Sequence, residues 1–184
     1  VKAIGTISVE HMVSGGGKIT LTAGEDILIG YADAGAQNGV VRLTAVGSIY
    51  ELEPAGDSVD LIAQEAYLFA GAHIGGGSAG NLYLETQVGT LVAEVGSSTI
   101  YIEELDDIEL VSVMAPAGMI GIVAGGDITI PGAVTTGAAG TIFMQAGGRI
   151  YMKGDAPVMT GLLQAYANTG IFLATQVAIL DAKV

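Results

Sequence analysis

The feature that most constrains this chain is a short phrase that returns about every twenty residues. Its fullest statement is Gly118–Ile130, Gly-Met-Ile-Gly-Ile-Val-Ala-Gly-Gly-Asp-Ile-Thr-Ile. Apolar residues alternate at Ile120, Ile122 and Ala124, a Gly-rich corner interrupts them, and Ile128 and Ile130 then resume the inward set. Two short strands bent around a corner cannot bury their apolar side alone. Stacked copies can, so the phrase specifies a repeat architecture.

Aligned on the first strand, the copies are Ile19–Leu21, Val41–Leu43, Val59–Leu61, Leu82–Leu84, Ile100–Ile102, Ile120–Ile122, Ile142–Met144 and Leu163–Ala165, in steps of 18 to 23 residues. Second strands begin at Ile27, Ile49, Tyr67, Leu91, Ile108, Ile128, Ile150 and Ile171. A weaker third segment follows, as at Ala133-Val134-Thr135, often near Pro54, Pro116, Pro131 or Pro157, where proline marks turns and not ladder interiors. Corners such as Gly24-Glu25-Asp26, Gly125-Gly126-Asp127 and Gly147-Gly148-Arg149 are expected to exploit the positive φ that glycine tolerates. The interior column ends on Ala at Ala23, Ala45, Ala63, Ala124 and Ala146.

Three short strands per coil, all running the same way round, predict an all-β, right-handed parallel β-helix (a solenoid) of about eight coils. At about 4.8 Å per coil the rod would be about 40 Å long. Residues 1–184 read as a single segment. It opens on a second strand, Gly5–Val9, and closes on a third, Val177–Leu180, and is expected to be an uncapped part of a longer rod, or a subunit joined end to end with others.

Composition narrows the partners. Nineteen acidic residues face six basic ones, a formal charge of −13. A nucleic-acid partner needs a basic stripe and is excluded as an expectation; anionic membrane surfaces are disfavoured too. The uncharged stretch Ile128–Gly148 is long enough to span a bilayer, but Pro131, its glycines and its period-two alternation read as strands, so no membrane insertion is expected. With no cysteine in the chain, neither disulfides nor thiolate metal sites enter.

Function would have to live on the outward columns. The first forms a stacking ladder in which Arg42 lies beside Asp60 and Tyr83 stacks on Tyr101, with Phe143 further along; such pairs ordinarily just stabilise a sheet. The second holds Leu28, Tyr50, Leu68, Val92, Tyr151 and Phe172, an apolar set that reads either as scattered surface residues or as an interaction face for lateral self-association. Glu85 falls beside Glu103, near Glu104, Asp106 and Asp107. A solvated acidic face is the favoured reading and a weak Ca²⁺ site the alternative, since no Asp-rich calcium loop is present.

No catalytic or cofactor-binding set is apparent. His11 and His73 stand far apart in repeat position, without a nucleophile motif. Gly15-Gly16-Gly17-Lys18 and Gly75-Gly76-Gly77-Ser78 lack the remainder of a phosphate loop and read as coil-to-coil connections.

The motifs Gly17–Ile27 (Gly-x-Ile-x-Leu-x-Ala-Gly-x-Asp-Ile), Gly118–Ile128 and Gly140–Ile150 resemble the shaft repeats of filamentous-haemagglutinin-like exoproteins. The central copies, Asp57–Leu68 and Gly80–Ala93, depart from the Ala-Gly-Gly-Asp corner. The resemblance implies a rigid, non-catalytic, extracellular or cell-surface bacterial shaft, with any host or cell-surface ligand bound elsewhere in the parent chain. A self-polymerising filament subunit and a carbohydrate-binding or carbohydrate-cleaving β-helix are the alternatives.

Overall fold

The computed structural model describes residues 1–52, 59–76 and 83–184; Pro54, Asp57, Gly77, Ser78, Gly80 and Leu82 lie outside them. The described residues form nineteen strands and no helix. All pairings are parallel, gathered into one sixteen-stranded and one three-stranded sheet. The chain is a β-solenoid of about eight turns.

Alternation builds the coil. In Lys18–Ala23, Ile19, Leu21 and Ala23 turn inward while their neighbours face out. In Ile27–Ile29 both isoleucines are fully buried. The inward residues merge into one apolar core running the length of the stack, from Ile7 to Ala167. Ile128–Gly148 resolves into Ile128–Ile130, Ala133–Thr136 and Thr141–Ala146, strands as expected.

In the first coils, side one carries a six-residue strand, Lys18–Ala23, paired with residues 40–45. Side two carries Ile7–Val9, Ile27–Ile29 and Ile49–Glu51, continued by Ile74. Side three carries Met12–Val13 and the first parts of Ala32–Ala45 and Leu61–Ala70.

The third copy is a correction. Val41 stacks on Ala66 and Leu43 on Leu68, not on Val59 and Leu61; Leu61 instead lies beneath Ala32 on side three. Leu61–Ala70 passes from side three to side one as one strand without a Gly corner. Only the doubled non-buried pair Gln64-Glu65 marks the bend. Period-two pattern matching slips across such a bend, because two consecutive outward residues reset the phase.

Leu84–Val95 completes an exchange of sides. Its beginning pairs with Ile100–Glu104 and its end with Ile108–Ala115. Ile100 also bridges to Ile74. From there the long strands Met119–Ala124, Thr141–Ala146 and residues 162–167 stack over sides two and three. Side one is now built from two short strands per coil, Ile128–Ile130 with Ala133–Thr136. The long wall of the solenoid has crossed the rod.

The corner glycines also need a correction. Among the described residues, positive φ occurs at Gly15, Gly16, Gly75 and Gly76, between strands, and at Gly35, an irregular step within Ala32–Ala45, and not at the repeated corners. Glycine is needed at the corners for space. A Cβ on Gly47, Gly126 or Gly148 would collide with the carboxylate of Asp26, Asp107 or Asp127 on the preceding coil. Each of those carboxylates accepts a backbone N–H from the next coil, of Ser48, Asp127 and Arg149, all at 2.7 Å. The Gly-Asp corner is thus a vertical clasp between coils.

Candidate functional site

The polar chemistry of this rod concentrates where the sides exchange. Inward alternation in Ile100–Glu104 puts Ile100, Ile102 and Glu104 into the core. Glu104 is only 2% exposed. It occupies the column that becomes Ala124, Ala146 and Ala167 in the following coils. Its Oε2 accepts the Thr86 hydroxyl at 2.8 Å and the Val88 N–H at 3.0 Å; Oε1 accepts the Asp106 N–H at 3.4 Å. The carboxyl therefore satisfies backbone and side-chain donors where Leu84–Val95 bends from one side to the next. Burial nonetheless dominates and pushes the Glu104 acid up to about 8, against those donors, which favour the ion.

A second buried acid lies two coils away. Asp60, also 2% exposed, precedes Leu61, and its Oδ2 accepts the Glu85 N–H at 3.2 Å. Carboxylate oxygens of Glu51, Asp60 and Glu85 all lie within 4.8 Å of one another. Burial first, then the neighbouring Glu51 and Glu85 charges, raise the Asp60 acid to about 8.

The acidic residues singled out from the sequence are thus regrouped. Glu85 does stand beside Glu103 in the ladder. Glu104, however, is a core residue and not part of a solvated face. Asp106 accepts from Gln87, and Asp107 serves the corner clasp. Among the described residues the carboxylates that converge are Glu51, Asp60 and Glu85.

On the outward ladder, Tyr83 and Tyr101 meet edge to face, with centroids 5.6 Å apart. Tyr101 continues to Gly121 and Phe143 in register, and the Tyr101 ring leans over Gly121, where a Cβ would come within 2.6 Å of it. Arg42 is a correction: its neighbour is Tyr67, not Asp60, and its guanidinium sits 4.4 Å from that ring centroid.

The apolar column divides in the same way. Leu28 pairs with Tyr50 on side two, and Tyr151 with Phe172 on the far coils, where Phe172 is exposed. Val92 pairs with Tyr67 on side one. Leu68 is fully buried, because the bend at Gln64-Glu65 reversed its orientation. These residues do not share one face.

His11 stacks on Tyr31 at 4.8 Å, and His73 Nδ1 lies 2.9 Å from the Thr99 hydroxyl. Lys18 opens a strand, not a helix, after its glycines. Among the described residues no helix is long and apolar enough to cross a membrane.

Sequence reasoning missed the inward placement of Glu104. The signal was present: the interior column ends on Ala in five copies, and the fifth first-strand copy, Ile100-Tyr101-Ile102, places Glu104 at that same step. No protein-family model matches the chain, and searches of curated proteins and of solved structures found no match.

Proposed function

We propose that this chain is a non-catalytic structural shaft, a stiff spacer within a secreted or cell-surface bacterial fibre or adhesin. One observation carries this reading: parallel ladders link successive coils from Lys2 to Lys183 around a single apolar core. Such a stack concentrates its hydrogen bonds along the rod, so bending or stretching strains many bonds together. The corner clasps and the outward aromatic and Arg–aromatic contacts add links in the same direction.

Negative-stain electron microscopy of the purified chain, combined with limited proteolysis, tests the reading. Short rods of even width that resist proteolysis are expected. Compact or flexible particles that are rapidly degraded would contradict it. A glycan array and a glycoside-cleavage screen test the carbohydrate alternative, and specific binding or turnover there would displace the shaft.

A further inference from the structure

We propose that the side-exchange coils form a pH-dependent joint, in which Asp60 and Glu104 are seated as neutral acids and their ionisation loosens the pairing of Leu84–Val95 with its neighbours while the C-terminal stack stays closed. The geometry carries this. Both side chains are almost completely removed from solvent, two coils apart, with Thr86 of the intervening coil beside Glu104.

The groups facing Asp60 are acidic on both flanks: Glu51 from Ile49–Glu51 and Glu85 from Leu84–Val95, with Glu103 stacked one coil beyond Glu85. Facing Glu104 are the Thr86 hydroxyl and Val88 N–H from Leu84–Val95, Asp106 from the following turn, and apolar Ala124 from the next coil. Among the described residues the basic partners of ion pairs are Arg149 and Lys153, which bind Asp127 and Glu109. Neither compensates Asp60 or Glu104, so a charge formed at Asp60 meets other acids, and one at Glu104 has three hydrogen-bond donors but no cation to offset its burial in an apolar core.

The direction follows from linkage. Both acids hold their proton in the folded chain to about pH 8, against ordinary values of 3.8 and 4.5. The unfolded chain releases it earlier. Their contribution is therefore fully present below pH 4, declines as pH rises, and is lost through about pH 8. The coils from Met119 onward carry Ala at the same step and lack this dependence.

Hydrogen exchange of the whole chain at pH 6 and pH 9, corrected for intrinsic rates, tests the joint. Loss of protection at pH 9 confined to peptides covering 60–70 and 84–104, with 119–167 unchanged, is expected. Even loss along the chain, or none, would overturn it. Infrared spectra of the wild type at pH 7 supply a check that needs no variant. A protonated-carboxyl band should be present, and its absence would contradict the seating of the acids. In the Asp60→Asn/Glu104→Gln variant the band should vanish and the melting temperature should cease to fall between pH 6 and 9, where the wild type loses about 4 °C or more. A variant that folds and still melts lower at pH 9 by the same amount would refute the proposal.

Discussion

Glu104 and Ala124 occupy the same step of the same column, one coil apart, and they show how differently two parts of one rod are held together. From Met119 to Phe172 the coils repeat closely, and the core is aliphatic apart from the Thr160 hydroxyl, which is bonded to Thr136 and the Gly140 carbonyl. The carboxylates Asp107 and Asp127 stand at corner clasps. Between Leu61 and Glu104 the strands bend without the Ala-Gly-Gly-Asp corner, the long wall changes sides, and the Glu104 carboxyl enters the interior. A regular stack can satisfy every backbone group with the coil above and below. A coil that changes sides cannot: Val88 N–H turns to a side-chain acceptor, and Glu104 supplies it.

The largest effect is expected from moving the acid into the regular stack. Ala124→Glu places a carboxyl in the column without the Thr86 and Val88 donors, and should cost several kcal/mol near neutral pH. Chemical denaturation at pH 5 and pH 8 should show the penalty growing with pH. A penalty independent of pH would mean that size, and not charge, separates the two regions.

Next comes Ile142→Ala, a fully buried side chain in the regular stack. A loss of about 2–5 kcal/mol is expected by denaturant titration, because stacked coils above and below leave little room to collapse into the cavity.

Gly148→Ala forces a methyl group against the Asp127 carboxylate and should cost about 1–3 kcal/mol. If the clasp is the cause, Asp127→Ala in the same chain should relieve much of that cost, a coupling that a double-mutant cycle reads directly. The smallest effect belongs to Arg149→Gln. Its guanidinium, largely solvent-exposed, holds the Asp127 acid below its ordinary range through paired hydrogen bonds of 3.2 and 2.7 Å. A slight loss of stability at low salt that disappears at high salt is expected.

Much of the fold was legible because period-two alternation and Gly corners are local. Ile19 over Val41, Ile120 over Ile142 and Tyr83 beside Tyr101 all follow from spacing. Arg42 and Leu68 were misplaced because Leu61–Ala70 turns through a doubled outward pair, a bend that leaves no Gly or Pro to read. Spacing alone put glycine at the corners but gave the wrong cause: the colliding atom belongs to the aspartate of another coil. Alternation puts Asp60 on the outward row with Glu85 and Glu103 and gives no sign of its burial. Glu104, by contrast, reads as a surface acid only if residue type outweighs position, since the alternation that places Ile102 inward places Glu104 inward as well.

Cysteine cross-linking tests the exchange of sides most directly, since the chain carries no cysteine of its own. Arg42→Cys with Tyr67→Cys puts two outward residues in register on adjacent parallel strands, within disulfide reach. That pair should oxidise readily in the folded chain, while Arg42→Cys with Asp60→Cys should stay reduced. Cross-linking of the second pair and not the first would restore a uniform register and remove the exchange of sides altogether.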